Sequence, residues 1–291
     1  MSNVHLIDKQ QARLAFSRAA ERYDEVAVLQ REIGQRMLDR LDVVRLEPEV
    51  ILDVGAGTGV ATAQLARRYR KAQVIALDFA LPMLRETRKR GSWLRRPKCL
   101  CGDFERVPLA DQSVDLIYSN AAIQWSNQLE RTFSEFLRIL RPGGLLMFTT
   151  FGPDTLKELR MAWSQADGSS HVSTFLDMHD VGDELVRAQF ADPVMDVDRM
   201  ELTYEHVSGL MKDLKVLGAH NVTLERQRGL TGKGRLRAMT TAYEQFRRDG
   251  RLPASYEVIY GHAWAPAQRR VNDVTLVPVS EIKRRGEGSG V

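Results

Sequence analysis

Between residues 50 and 150, short apolar runs alternate with stretches of helical spacing. Val50–Val54 is apolar and partly β-branched, and Ala61–Tyr69 after it has the period of a helix. Val74–Leu77 predicts a second strand ending at Asp78, and Pro82–Arg90 a helix whose proline is tolerated near its start. Lys98–Cys101 predicts a short strand before Gly102-Asp103, and Val114–Tyr118 one that reaches Ser119-Asn120. Leu129–Leu140 predicts a helix that stops before Arg141-Pro142-Gly143-Gly144, followed by a strand over Leu145–Thr150. The alternation predicts an α/β fold, a mostly parallel, doubly wound sheet with helices on both faces. Right-handed crossovers then place the loops after the strands along one edge, so the glycine loop at 55–59, Asp78, Asp103 and Asn120 are expected to converge.

The flanking segments follow other patterns. Residues 8–42 predict two helices separated by Phe16–Asp24, which either cover a cleft or cap a sheet. Thr155–Trp163, Met178–Ala188, Val207–Leu217 and Arg235–Phe246 have helical spacing, whereas Met195–Tyr204 and Tyr256–Trp264 suit strands. That last pair, joined to the first sheet, would complete seven strands. The expected organisation is a helical cover over 1–46, a main domain over 47–265 with a variable helical insertion around 152–190, and a polar, flexible tail over 266–291.

Composition narrows the class. With 291 residues and 43% hydrophobic content, the chain has enough apolar material for a sizeable core. No run approaches about 18 consecutive apolar residues, so no membrane span is expected. Met1–Gln10 lacks the basic-then-apolar order of a secretory signal. Cys99 and Cys101, the only cysteines, are too close for an ordinary mutual disulfide, and a reducing cytoplasm is expected. The histidines are dispersed and form no H-E-x-x-H motif, so no metal is expected. A net charge of +4 neither demands nor excludes an anionic partner.

The sharpest chemical signal is Asp53-Val54-Gly55-Ala56-Gly57-Thr58-Gly59. Its glycines permit a tight turn and close ligand approach, and the helix after it presents free N–H groups. The pattern is G-x-G-x-G with Val60 where a dinucleotide loop has its third glycine, and no G-K-[ST] follows. Asp78 after the second strand suits ribose hydroxyls, and Asp103 after the third suits an adenine amine that Phe104 could face. Each aspartate can equally cap a turn. Asp53 either orients the loop and meets a cationic ligand group or only binds backbone N–H groups, Asn120 can donate and accept, and Trp125 either walls a ligand or fills space.

With Asp78, Gly102-Asp103-Phe104, Asp111–Asn120 and Leu140–Gly144, this loop resembles the class I methyltransferases that use S-adenosylmethionine. The resemblance implies a Rossmann-like seven-stranded fold with an α-helical substrate-covering region. It places ribose at Asp78, adenine at Asp103 with Phe79 and Met83 near it, and the methionyl part at Asp53, Gly55, Ala56, Gly57 and Gly59, with Asn120 beside them. Phe16–Tyr23, Ala121–Trp125, Phe151–Leu159 and Leu210–Asn221 further resemble the malonyl-[acyl-carrier protein] O-methyltransferases of biotin synthesis, the BioC type. That family implies methylation of the free carboxylate of a malonyl thioester, with malonyl-acyl carrier protein or malonyl-coenzyme A as acceptor. Tyr23, Gln124 and Trp125 are then the candidates at the reacting end. A malonyl carboxylate is ionised near neutrality, so no strong base is needed, but a cationic side chain is expected to meet it. Lys212 and Lys215 either favour an acidic carrier or form a solvated face. The alternative is another small-molecule methyltransferase. Asn120-Ala121-Ala122-Ile123 is not the N-P-P-[YF] motif of many planar-nitrogen methylations, which argues against that chemistry and not against every nucleic-acid substrate; no nucleic acid is expected, and a monomer is the default.

Overall fold

The computed structural model describes residues 6–91, 96–167, 171–219, 221 and 232–267. His220, and residues 268–291 of the tail expected over 266–291, therefore lie outside the described residues.

Seven strands form one sheet in the order β3-β2-β1-β4-β5-β7-β6. The strands are β1 (Val50–Val54), β2 (Gln73–Asp78), β3 (Lys98–Cys101), β4 (Val114–Ser119), β5 (Leu140–Phe151), β6 (Ala191–Tyr204) and β7 (Leu252–Trp264). β1 to β5 pair in parallel. β7 runs antiparallel between β5 and β6, with Leu145 opposite Trp264 and Phe151 opposite Val258. Side chains alternate across the pleat. Ile51, Leu116, Tyr118, Leu145 and Met147 therefore face one apolar layer, while Leu52, Val54, Ile117, Leu146 and Phe148 face the other.

Helices α4 (Val60–Arg68), α5 (Leu81–Arg90) and α6 (Leu129–Ile139) are the crossovers. In α6, Phe133, Phe136 and Ile139 recur at three-residue spacing and are fully buried. The N-terminal part forms three helices rather than two: α1 (Lys9–Ala19), the single turn α2 (Tyr23–Val26) and α3 (Val28–Arg40). The Asp8 side chain caps α1 by accepting from the Gln11 N–H at 3.0 Å. Later come α7 (Lys157–Ala166), α8 (Met178–Arg187), α9 (Val207–Val216) and α10 (Lys233–Tyr243).

One boundary differs in kind from the expectation. β5 begins at Leu140, directly after α6, and runs extended through Arg141-Pro142-Gly143-Gly144. Val114 pairs with Leu140 before a register shift, and the Gly143 N–H donates to the Ala265 carbonyl. Proline and glycine here bend a strand that has partners on both sides; they do not separate two elements. No helix among the described residues is long and apolar enough to cross a membrane.

Candidate active site

Parallel strands bring their carboxyl ends to one edge. Asp53 near the end of β1 and Asp78 at the end of β2 are both buried there. Asp53 Oδ2 accepts from Thr62 Oγ1 at 2.5 Å, while Asp78 accepts from the Gly57 N–H at 2.9 Å and the Ala80 N–H at 2.8 Å. Burial is the main cause that lifts Asp53 to about 7, with Asp78 adding repulsion and the Thr62 bond opposing. Burial likewise lifts Asp78 to about 6 against its backbone hydrogen bonds. Two buried carboxyls with no ion-pair partner among the described residues favour a cationic ligand group, which would ionise both.

The glycine loop turns across this edge, with the Gly55 and Ala56 N–H groups donating to the Leu77 carbonyl at 2.8 and 3.0 Å. Gly55 has φ +68°, and a Cβ there would stand 2.3 Å from Ala122 Cβ. Only glycine permits both the left-handed backbone and this approach to the segment after β4.

The N-terminal helices pack over the same edge. Lys9 Nζ bonds Asp103 Oδ2 and Glu105 Oε2, each at 2.6 Å. Asp24 accepts from Thr58 Oγ1 at 2.7 Å and pairs with Arg90, whose Nε donates to the Thr58 carbonyl at 2.7 Å. Phe16 lies 5.8 Å from the Phe79 ring and edge-on to Trp125 at 5.2 Å. Ala19 and Ala20 pack with Ala80 and Met83.

α3 is fixed to β4 and the residue after it by two hydrogen bonds. Tyr118 Oη donates to the Gly34 carbonyl, and Asn120 Nδ2 donates to the Gln30 carbonyl, each at 2.9 Å. Asn120 Oδ1 in turn accepts from Thr149 Oγ1 at 2.9 Å. A Cβ at Gly34 would lie 2.9 Å from Asn120 Nδ2, so glycine lets the helix approach this closely.

Two cavities meet beneath these helices. The larger, of about 650 Å³, has walls that include Phe16, Trp125, Phe151, Phe175, Leu214 and Tyr256. Its volume is in the range of pockets that bury a drug-sized ligand. The smaller, of about 60 Å³, lies beside Asp53, Gly55, Gly57, Thr58 and Asn120. Tyr23 and Gln30 line both. Burial, with the nearby Asp78 and Asp24 carboxylates, pushes the Tyr23 hydroxyl well above the ordinary tyrosine range, so it remains a neutral phenol.

Among the described residues, no lysine or arginine lines the larger cavity, whose one charged lining group is Asp213. Lys212 and Lys215, its neighbours on α9, are exposed. Gln124 lines the cavity and donates from Nε2 to the Ala121 carbonyl at 2.7 Å.

A family model described as "Methyltransferase domain" matches residues 52–148. Two solved structures share the fold: a chain from Bacillus halodurans C-125 (17% identical, TM-score 0.57) and the YcgJ protein from Bacillus subtilis (15% identical, TM-score 0.55). Each likeness covers 81% of this chain and 99% of the other. Much nearer is a protein of Methylovorus sp. (strain MP688) named malonyl-[acyl-carrier protein] O-methyltransferase, 53% identical over 96% of both chains. The chain belongs to the malonyl-[acyl-carrier protein] O-methyltransferase family. Another relative so named, from Gallionella capsiferriformans (strain ES-2), is 53% identical over 97% of this chain and 99% of its own.

Within this O-methyltransferase, the residues singled out from sequence share one edge but differ in what they do there. Asp53, Gly55, Ala56, Gly57 and Asn120 line the smaller cavity, with Asp78 bonded to the loop. Gly59 ends the loop at the start of α4, its N–H bonded to the Ala56 carbonyl. Tyr23, Gln124 and Trp125 line the larger cavity. Phe79 and Met83 lie under the N-terminal helices, and Phe104 sits 6.5 Å from the Phe136 ring with Lys9 Nζ 5.6 Å from its own. Asp103 is held by Lys9, and the Asn120 carboxamide is committed to Gln30 and Thr149. Lys9, Gln30, Gly34 and Arg90 were not anticipated. Each acts through a contact dozens of residues away, and the acid at 103 and the glycine at 34 gave no local sign of a partner.

Proposed function

We infer that this protein transfers a methyl group from S-adenosylmethionine to the free carboxylate of a malonyl thioester. The observation that carries the reading is the 53% identity, over 96% of both chains, to a relative named for that reaction. The site fits the cofactor in kind. The glycine loop lies against Ala122 with no room for a side chain at Gly55, and two buried carboxyls with raised pKa values wait beside it.

In this reading the amino-acid end of the cofactor lies along Asp53, Gly55, Ala56, Gly57 and Gly59, its ribose meets Asp78, and its adenine lies among Phe79, Met83, Asp103 and Phe104. The N-terminal helices cover it. When bound, S-adenosylmethionine supplies a sulfonium methyl: the S–CH₃ bond breaks with its electron pair going to sulfur, as a carboxylate oxygen forms the new O–CH₃ bond. The chain's own residues position and desolvate. Tyr23 stands between the two cavities as a neutral hydrogen-bond donor. Gln124 and Trp125 shape the acceptor side, and the apolar walls exclude water that would compete with the carboxylate.

Among the described residues, no lysine or arginine lines the acceptor cavity. Anion and sulfonium neutralise each other in the transition state, and a fixed cation would bind the reactant anion more tightly than that transition state. The acceptor is malonyl-acyl carrier protein, with malonyl-coenzyme A as a second carrier, and the exposed Lys212 and Lys215 offer an acidic carrier a docking point. The resulting methyl ester would prime pimeloyl synthesis for biotin, by a cytoplasmic monomer.

The test is S-adenosylhomocysteine release with malonyl-acyl carrier protein, malonyl-coenzyme A and acetyl-acyl carrier protein. Turnover with the malonyl acceptors alone is expected. Equal turnover with the acetyl acceptor, which has no free carboxylate, would overturn the reading.

A further inference from the structure

No hydrogen bond ties the Gln30 side chain to another described residue. Its backbone carbonyl is locked to the sheet through Asn120, itself held by Thr149, so the residue is firmly placed. Its carboxamide oxygen is buried without a hydrogen-bond partner among the described residues. A buried acceptor left unpaired is costly, and in native proteins it usually awaits a ligand or a water. Gln30 also stands at the junction, since among the described residues only it and Tyr23 line both cavities.

Resting on the methyl-transfer reading above, the geometry points to Gln30 as a residue that bridges the two reactants, its Oε1 accepting from the ammonium of the cofactor's amino-acid end and its Nε2 donating to the acceptor carboxylate. A neutral carboxamide is the group that serves both sides. Carbonyl oxygen and amide N–H are available in one side chain, and no net charge opposes either the cationic donor or the anionic acceptor. A lysine here would repel the ammonium and a glutamate the carboxylate, while leucine would serve neither.

Two near-isosteric variants of the full chain, Gln30→Glu and Gln30→Leu, separate these contributions. S-adenosylhomocysteine binding is measured by calorimetry, without turnover, and KM for malonyl-coenzyme A by steady-state kinetics. Gln30→Leu is expected to weaken S-adenosylhomocysteine and raise the acceptor KM, each about tenfold, as the loss of one hydrogen bond to a charged group requires. Gln30→Glu is expected to hold or tighten S-adenosylhomocysteine while raising the acceptor KM by roughly a hundredfold, because its carboxylate still accepts from the ammonium but repels the acceptor. A residue that only fills space would not split the two measurements by charge. Parallel behaviour of the two variants, or wild-type values for both, would overturn the assignment. If the unaltered chain methylates no malonyl acceptor, the methyl-transfer reading fails, and unchanged S-adenosylhomocysteine binding in both variants would separately end the role at the ammonium.

Discussion

Lys9 Nζ lies 2.6 Å from Asp103 Oδ2, joining the first N-terminal helix to the loop after β3 across 94 residues of sequence. The same ammonium is 2.6 Å from Glu105, so one cation holds two carboxylates that would otherwise repel. Lys9→Ala is expected to loosen α1. The groups are partly exposed, so the loss is at most about 1 kcal/mol, roughly a fivefold weaker S-adenosylhomocysteine affinity by calorimetry. Limited proteolysis should be faster between residues 9 and 26, and an unchanged cleavage rate would show that Lys9 does not hold the helices down.

Gly34→Ala tests the seating of α3. The new methyl would stand 2.9 Å from Asn120 Nδ2 and push that side chain off the Gln30 carbonyl. Alanine favours a helix interior by about 1 kcal/mol over glycine, which offsets much of the lost packing. The expected result is therefore a small change in melting temperature with a turnover about tenfold lower. A melting temperature and a turnover that fall in proportion would show only unfolding.

The pH dependence follows from Asp53 and Asp78. Both bind a proton more tightly folded than unfolded, lifted from 3.8 to about 7 and about 6. Between about pH 4 and 7 the native state holds more protons than the unfolded one, so the free protein loses stability as pH rises through that window. A ligand ammonium favours the ionised carboxyls, so S-adenosylhomocysteine affinity should rise over the same window. Melting curves and calorimetry across pH would show both trends, and Asp53→Asn should flatten them. Opposite slopes would contradict the burial-driven shifts.

Tyr23→Phe keeps the ring between the cavities and removes the phenol. Turnover is expected to fall by about tenfold, the worth of one hydrogen bond to a charged group, with S-adenosylhomocysteine affinity little changed. Normal turnover would restrict Tyr23 to packing.

Much of the fold could be read locally. β1 and β3 stand at their expected bounds because short apolar runs there end in glycine or aspartate, and parallel pairing carries Asp53, Asp78 and Asn120 to one edge. Leu140–Gly144 misled, because proline and glycine usually break an element and only the partners at Val114 and Ala265 make this stretch a strand. α2 was missed because one turn leaves no period to detect. In the site, the acids and glycines announced themselves by position after strands. Gln30 did not, for a glutamine on a helix has no signature until a second element leaves its oxygen buried and unpaired. The expected cation has no counterpart among the described residues that line the larger cavity, whose one charged group is Asp213.

Intact mass spectrometry of malonyl-acyl carrier protein, after incubation with the enzyme and methyl-labelled S-adenosylmethionine, examines the reaction at its product. The expected result is one added labelled methyl on the malonyl carrier, removed by mild ester hydrolysis, and none on the acetyl carrier. No added methyl, with folded protein that binds S-adenosylhomocysteine, would contradict malonyl carboxyl methylation.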